Sequence, residues 1–167
     1  MNLQIRKATL DDTFIVGNIL TDAVNYKLSL DDSSWGSEPF SERETRGLIK
    51  TGETYVVLAD NKIIATFGLH DEDREIWGNS DDKAWYIHRL AVAKDLHGKG
   101  VGEQIIKWIK QQAQQQNIVY LRLDCAAENS KLCNYYEKLG FKLVGNKKYP
   151  TKSTANIANL YQINDQS

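Results

Sequence analysis

The sequence has 167 residues, 41% hydrophobic and 26% charged, a composition typical of one globular domain with a single core. Its formal net charge of -1 argues against nucleic acid or an anionic membrane surface as the main partner, because no basic excess is available to neutralise phosphates. No stretch approaches the roughly 18 apolar residues of a membrane span, and the first residues lack the apolar core of a signal peptide. We therefore predict a cytoplasmic protein whose single domain covers residues 1–167.

The first half of the chain predicts a strand, two helices and a hairpin. LQIRKA, at residues 3–8, alternates apolar and polar side chains as a half-buried strand does. Thr9 and Asp12 have the spacing of a capping box, and an apolar helical face follows them. The residues of that face are Val16, Ile19, Leu20, Ala23 and Val24. A short helix is predicted near residues 41–50, and TYVVLA and KIIATFGL are typical of two strands joined by the turn residues DN.

The second half predicts strands and helices in alternation. Residues 71–83 form a loop with six acidic side chains, and AWYIHRLAV after it is typical of a strand. A glycine-rich loop and an amphipathic helix follow, then the strand IVYLRL and the helix NSKLCNYYEKLG, which Gly140 ends. FKLVG and NLYQI are expected to close the chain as a hairpin. The order β-α-α-β-β-β-α-β-α-β-β predicts a mixed sheet with helices on its faces.

Two cysteines, Cys125 and Cys133, are too few for a disulfide framework and too few, alone, for a zinc site. We interpret them as small buried thiols in a reducing compartment. The sequence therefore predicts no metal site.

Three glycines within five positions, Gly98, Gly100 and Gly102, separate a predicted strand from a predicted helix. Each costs about 1 kcal/mol inside a helix, so their repetition at a helix start needs a reason. The first amides of a helix lack intrahelical partners and carry positive potential, so bare backbone there favours phosphate binding. The alternative is a tight turn that needs a positive φ, for which one glycine would suffice. Neither the Walker pattern nor the dinucleotide fingerprint is matched.

The segment LAVAKDLHGKGVGEQII resembles the acyl-CoA-binding motif of the GNAT superfamily of N-acetyltransferases, which runs Gln/Arg-x-x-Gly-x-Gly/Ala. His97 stands where the family usually has Gln or Arg, so the backbone cradle is kept and no side-chain role is assigned at this position. A second segment, ENSKLCNYYEKLGFKLVG, resembles the family signature Asn-x-x-Ala-x-x-x-Tyr-Glu-Lys-x-Gly-Phe. Leu132 replaces its frequent alanine. The matching residues are Asn129, Tyr136, Gly140 and Phe141.

This resemblance implies an α/β (α+β) fold, with a mixed, mostly antiparallel central sheet of about seven strands flanked by about four helices. It implies acetyl-CoA as cofactor, with the pantetheine arm between the splayed fourth and fifth strands and the pyrophosphate on the glycine-loop amides. Carried over residue by residue, the cofactor-binding set is Leu90, Ala91, Val92, His97, Gly98, Lys99, Gly100, Val101, Gly102, Glu103, Asn129 and Tyr136. Strand alternation further predicts that His88 shares a face with Leu90 and Val92, opposite Arg89 and Ala91.

The resemblance also places Tyr136 as the acid that meets the leaving thiolate, whereas the residues alone equally allow a packing role on the apolar stripe of its helix. A base is needed because an ammonium ion has no lone pair with which to attack. His88 is our candidate for this base, since its imidazole is chemically suited to accept a proton. The alternatives are Glu72, Asp73 or Glu75 acting through water, with His88 only a hydrogen-bonded core residue.

The resemblance further implies that the loop joining the first two helices covers the acceptor, and the carboxylates and aromatic rings of this loop would suit a cationic amine. We assign Tyr26 and Trp35 to this site, with Asp31, Asp32 and Phe40 nearby; a buried plug is an equal alternative for Trp35. The predicted function is N-acetyl transfer from acetyl-CoA to a primary amine of a small-molecule or amino-acid-like substrate by direct attack. The alternatives are acetylation of a protein N-terminus or lysine, and a non-catalytic acyl-CoA sensor. The oligomeric state stays open, with a homodimer among the alternatives.

Overall fold

The computed structural model describes residues 1–150 and 157–164, which form seven strands and four helices. The strands are β1 Leu3–Lys7, β2 Thr54–Ala59, β3 Lys62–His70, β4 Ala84–Val92, β5 Tyr120–Ala126, β6 Lys142–Lys148 and β7 Ile157–Asn164. The helices are α1 Thr13–Ser29, α2 Glu42–Lys50, α3 Val101–Gln115 and α4 Ser130–Lys138. Within these described ranges, no helix is both long and apolar enough to cross a membrane.

The strands form one sheet in the order β1-β2-β3-β4-β5-β7-β6. Each neighbouring pair is antiparallel except β4 and β5, which run parallel. The hairpin predicted at the end of the chain is the β6–β7 pair, and Gly140, with a φ of 95°, ends α4 as predicted. The predicted fold class and the predicted order of the elements are both confirmed.

Two apolar clusters hold the helices on opposite faces of the sheet. The larger cluster includes Ile105 and Ile109 from α3 and Val57 from β2, all fully buried. The smaller cluster joins α1 and α2 to Val56, which is the chain neighbour of Val57. Since successive strand residues point to opposite faces, α3 and α4 cover one side of the sheet while α1 and α2 cover the other.

The parallel pair β4–β5 is hydrogen-bonded only at its start. Residues 84–86 of β4 pair with residues 120–122 of β5, and the two strands separate beyond that point. The unpaired edges leave backbone donors and acceptors of both strands without a ladder partner in the middle of the sheet. The separation predicted between the fourth and fifth strands is therefore present, and it opens the cavity described below.

The predicted alternation along β4 is wrong at Arg89, where a β-bulge inserts one extra residue. Against β3, Gly68 pairs with His88 and Thr66 with Ala91, so three steps along β4 match two along β3. Arg89 itself has a φ of 47°, which is unusual for a residue with a side chain. After the bulge, Leu90 and Val92 pack with the α3–α4 cluster and Ala91 with the α1–α2 cluster. His88 therefore does not share a face with Leu90 and Val92.

Candidate active site

The glycine loop, residues 97–102, leads from β4 into α3. Gly98 and Gly100 have φ values of 75° and 77°, the left-handed region that glycine adopts without strain. Gly100 is the N-cap of α3, and the first intrahelical bond runs from the amide of Gln104 to the carbonyl of Gly100 at 3.2 Å. The three amides before Gln104 thus have no intrahelical acceptor and lie at the positive end of the helix dipole. This backbone fits a pyrophosphate.

Gly102 serves a different purpose from the other two glycines. A Cβ built on Gly102 would collide with the hydroxyl of Tyr135 on α4. Open space surrounds the Cβ position of Gly98, so its requirement is conformational rather than steric. One glycine lets α3 approach α4 closely and the other two shape the loop, which explains why three occur within five positions.

His97 fastens the glycine loop to β4. Its Nε2 donates to the carbonyl oxygen of Val92 at 2.9 Å, in the tautomer that carries the proton there. Its ring also meets the ring of Tyr26 from α1 edge-on, with the centroids 4.9 Å apart. The departure from the family's usual Gln or Arg thus keeps a hydrogen-bonding side chain at this position.

A cavity of about 1120 Å³ extends from the glycine loop along the separated strands. Residues 87–92 of β4 line one wall and residues 123–125 of β5 line the other. All three strand residues predicted to guide the pantetheine arm, Leu90, Ala91 and Val92, lie on this wall. The cavity also reaches Asn129 and Tyr136, so the predicted cofactor residues, with the exception of Lys99, border one connected space.

Tyr136 lies on α4 and is 7% exposed, with its side chain on the cavity wall. Burial raises the pKa of its phenol above the ordinary value, so the hydroxyl keeps its proton. Among the described residues that hydroxyl has no hydrogen-bond partner, while the ring packs edge-on against Tyr135 and Phe141. The position therefore combines the packing role with a free proton donor at the cavity, and its catalytic role stays a prediction.

Asn129 and Asp32 form a buried network on the side of the cavity covered by α1. The Asn129 side chain caps α4 by accepting from the amide of Leu132 at 3.1 Å, and it donates to Asp32 at 2.8 Å. The ammonium of Lys27 lies 2.7 Å from the same carboxylate. Although burial opposes ionisation, these contacts hold the pKa of Asp32 below its ordinary value. The expectation that Asp32 is free to meet a cationic amine is wrong, because Lys27 already neutralises it.

The two residues predicted to contact the acceptor, Tyr26 and Trp35, make different contacts in the structure. Trp35 lines the cavity and packs on the ammonium of Lys27, 5.0 Å from its ring centre. Tyr26 also lines the cavity, but its hydroxyl accepts from Lys131 of α4 at 2.8 Å beside His97. Tyr26 is thus placed near the glycine loop rather than near His88. Acceptor contact by either residue stays a prediction.

His88 belongs to a compact group with two carboxylates. Its Nε2 lies 3.2 Å from Oδ2 of Asp73, which belongs to the loop between β3 and β4. Asp124 on β5 completes the group, and one potential ligand atom from each residue lies within 4.8 Å of the others. Burial opposes ionisation of Asp73, but His88 and the amide of Ile76 keep the pKa of its carboxyl below the ordinary value. This arrangement can take a proton from an ammonium ion and can hold a cation.

Two contacts around this group were missed by sequence reasoning. Tyr149 donates to the carboxylate of Asp124 at 3.0 Å, yet burial raises the pKa of Asp124 above its ordinary value. The ring of His70 meets that of His88 with centroids 4.6 Å apart, and burial lowers the pKa of His70 to about 4. Asp124 directly follows the apolar run IVYLRL, on the strand expected to separate from its neighbour, and this was the available signal.

The alternative bases on the acidic loop occupy different surroundings. Glu72 is paired with Arg74 at 3.0 Å, and both side chains are largely exposed. Glu75 is exposed at the cavity rim. Asp73 is 8% exposed at its side chain and directly faces His88. The geometry favours His88 with Asp73 over either glutamate.

The two cysteines are buried and unbridged, as predicted for the thiols themselves. Their sulfur atoms are 3.3 Å apart, between β5 and α4. Burial raises the pKa of the Cys125 thiol, which makes a thiolate nucleophile unfavourable there.

Comparisons with known proteins point to one family. The chain is 29% identical over 104 residues to the uncharacterized N-acetyltransferase YesJ of Bacillus subtilis, covering 59% of this chain and 58% of that protein. It is 30% identical over 73 residues to streptothricin acetyltransferase of Escherichia coli, covering 44% of this chain and 42% of that protein. The match thus spans about half the length of these curated relatives.

Solved structures share the fold at low sequence identity. A GNAT-family acetyltransferase from Listeria monocytogenes superposes with a TM-score of 0.77 at 21% identity, covering 97% of this chain and 94% of that one. The PaiA N-acetyltransferase from Thermoplasma acidophilum, in complex with coenzyme A, has a TM-score of 0.71 at 16% identity, with coverage of 98% and 99%. The model of the acetyltransferase (GNAT) family matches residues 20–141, more than half of the sequence. The chain belongs to the GNAT acetyltransferase family.

Proposed function

We propose that the protein is an acetyl-CoA-dependent N-acetyltransferase that acts by direct attack of a primary amine of a small-molecule or amino-acid-like substrate. The observation that carries this proposal is one connected cavity bordered by the glycine loop at one part and by His88, Asp73 and Asp124 at another. The free amides at the start of α3 lie at the loop, and His88 with Asp73 forms the second part. Membership of the family supports the reaction class.

The residues that would hold the cofactor are set out along the cavity wall. The amides of residues 100–103 would receive the pyrophosphate, with Lys99 adding charge. Residues 90–92 of β4 offer free backbone edge to the amide groups of the pantetheine arm. When bound, acetyl-CoA supplies a thioester whose carbon–sulfur bond is exchanged for a carbon–nitrogen bond to the amine, with free CoA thiol and one proton released.

His88 acts as the base in this proposal. It accepts the proton of the incoming ammonium ion at an imidazole nitrogen, which leaves the amine with a lone pair for attack. Asp73, 3.2 Å from Nε2, orients the ring and stabilises the imidazolium once it forms. Asp73 is in turn fixed by the Ile76 amide, which donates to its Oδ1 at 3.1 Å.

Tyr136 acts as the proton or hydrogen-bond donor on the opposite wall. Because burial raises the pKa of its phenol, Tyr136 is protonated throughout the neutral range. A donor that has no partner in the described part of the chain is available to a developing negative charge, and hydrogen bonding alone lowers the barrier. Cys125 is not a covalent carrier here, since burial opposes its thiolate.

A small acceptor is favoured over a protein tail by the enclosure of the proton-accepting group. His88, Asp73 and Asp124 are each partly buried. Streptothricin acetyltransferase, one of the relatives, is named for a small-molecule substrate. Both points support a small molecule as the acceptor.

The proposal is tested by incubating the protein with acetyl-CoA and a broad panel of amines, polyamines, amino acids and short peptides, and by measuring free CoA thiol. Amine-dependent thiol release and an acetylated product in the mass spectrum are expected. Gly100→Glu should abolish both, because a side chain and a negative charge enter the phosphate cradle. Gly47→Glu, on the exposed surface of α2, is the matched control. Acetyl-CoA binding without thiol release for any panel member would leave the sensor as the function.

A further inference from the structure

Arg89 is a half-buried cation on the cavity wall. Among the described residues, its guanidinium makes no hydrogen bond and no ion pair within 4.0 Å. Burial lowers the pKa of this group, with Glu53 and Asp73 opposing the effect from longer range. A buried guanidinium that lacks an anion is costly, and guanidinium groups bind carboxylates through two parallel hydrogen bonds. An anion that enters the cavity would supply the missing partner.

The bulge in β4 puts Arg89 and His88 on the same cavity. In a regular strand, neighbouring side chains point to opposite faces, so these two residues would be separated by the sheet. The positive φ of Arg89, 47°, breaks this alternation, and both residues line the cavity. This backbone conformation costs about 1 kcal/mol or more for a residue with a Cβ. The bulge thus places a cation directly beside the proposed base.

The opposite charge lies across the same space. Oδ2 of Asp73 is fully buried and makes no well-directed hydrogen bond to the described part of the chain, although His88 lies 3.2 Å away. Asp124 stands on the facing strand, where Tyr149 occupies its Oδ2. An ammonium ion beside these carboxylates would give the Asp73 carboxylate a further hydrogen-bond donor. The wall of the cavity therefore offers an anion site and a cation site next to each other.

We propose that Arg89 binds a carboxylate of the acceptor, so that the acceptor is a small amino carboxylate whose ammonium group faces His88, Asp73 and Asp124. This inference rests on the proposed function and narrows it to amino acids and close analogues. The cofactor phosphates are not competitors for Arg89, because the glycine loop lies beyond the 90–92 segment of β4.

The test compares free amino acids with their own carboxamides, which differ in charge but hardly in shape. Thiol release is measured for each acid–amide pair at saturating acetyl-CoA. For at least one pair, we expect the acid to have a kcat/KM at least about tenfold above that of the amide, as one charge-assisted bidentate contact provides. If the amide has a kcat/KM equal to or above that of its acid in each pair, the inference is overturned and the proposed function stays intact.

Arg89→Gln separates substrate binding from a merely structural role. We expect it to lower kcat/KM for the preferred acid about tenfold or more, chiefly through KM, and to leave the matched amide within about twofold. Arg89→Lys should have a kcat/KM for the acid between those of the parent and Arg89→Gln, because lysine keeps the positive charge but cannot make the two parallel hydrogen bonds of a guanidinium. Arg43→Gln, on the exposed face of α2, is the control for removing one positive charge. Equal losses for acid and amide would overturn the inference.

Binding decides the inference where turnover fails. Amino acids and their carboxamides are titrated by calorimetry into the CoA-saturated protein, with and without a chelator. Binding of an acid that Arg89→Gln abolishes supports the assignment even if no thiol is released, in which case only the proposed function fails. If no amino acid binds, the inference about Arg89 is overturned. Binding that the chelator removes would also overturn it, because such binding would show a metal ion at His88, Asp73 and Asp124.

Discussion

The imidazole of His97 closes the glycine loop onto the end of β4, with Nε2 2.9 Å from the carbonyl oxygen of Val92. This contact joins the two backbone segments that are proposed to hold opposite ends of the pantetheine diphosphate arm. The ring is also fixed from the α1 side by Tyr26. A side chain without direct charge complementarity to the cofactor can thus set the position of the amides that bind it.

His97→Ala should weaken CoA binding about fivefold, because one hydrogen bond contributes about 1 kcal/mol and its loss frees the loop. Isothermal calorimetry with CoA measures this change. His97→Gln is the matched variant: its amide nitrogen can donate to the same carbonyl, and it should bind CoA within about twofold of the parent. Equal weakening by alanine and glutamine would show that the Val92 contact does not order the loop.

Gly102→Ala should lower stability by about 1 kcal/mol, since the added Cβ meets the hydroxyl of Tyr135. Tyr135→Phe removes that hydroxyl and should restore most of the loss in the double variant. Chemical denaturation of the two single variants and the double variant gives the coupling between them. Additive effects in this cycle would contradict the assignment of Gly102 to close helix packing.

The elements and the glycine loop could be predicted because their signals act over a few positions. Apolar periodicity sets α1 and α3, turn residues set the β2–β3 hairpin, and the glycines mark the entrance to α3. The separation of β4 from β5 came from the family resemblance rather than from the residues. Both expectations agree with the structure.

The polar contacts of the site could not be predicted, because they join distant positions. Asn129 bonds to Asp32, 97 positions away, and Lys27 neutralises the same carboxylate. No composition or period signals such a pair. The sequence likewise gives no signal of the bulge at Arg89, because the residue with the positive φ is an arginine rather than a glycine. It overrides the alternation rule and brings a cation into the cavity.

Tyr136→Phe should lower kcat at least about tenfold while changing the Kd for CoA less than twofold, because only the donor at the cavity is lost. Pre-steady-state thiol release and calorimetry separate the two quantities. Tyr135→Phe, one position earlier on α4, controls for the loss of a tyrosine hydroxyl on this helix. An unchanged chemical step in Tyr136→Phe would assign this side chain to packing alone.

Arg6→Gln should reduce stability by about 1 kcal/mol at pH 7, because Arg6 makes two hydrogen bonds to Asp12, of 2.7 and 3.0 Å. These bonds lower the pKa of the Asp12 carboxyl. Because the pKa of this carboxyl is lower in the folded than in the unfolded chain, the ion pair stabilises the fold fully above the ordinary Asp pKa of about 3.9. This stabilisation is lost as the pH falls through the folded-state pKa. Denaturation curves of parent and variant should therefore converge below about pH 4. A constant difference down to pH 2 would exclude this ion pair as its source.

His88→Gln should lower kcat/KM for the amine by about a hundredfold or more and leave CoA affinity within twofold, because a glutamine cannot accept the proton. Asp73→Asn is expected to lower kcat/KM less than His88→Gln does, because Asp73 orients the His88 ring while the imidazole itself accepts the proton. Asp73→Glu should restore part of the rate. Asp81→Asn, an exposed carboxylate of the same loop, controls for loop charge. An Asp73→Asn variant whose kcat/KM equals that of Asp81→Asn would remove Asp73 from the proton path.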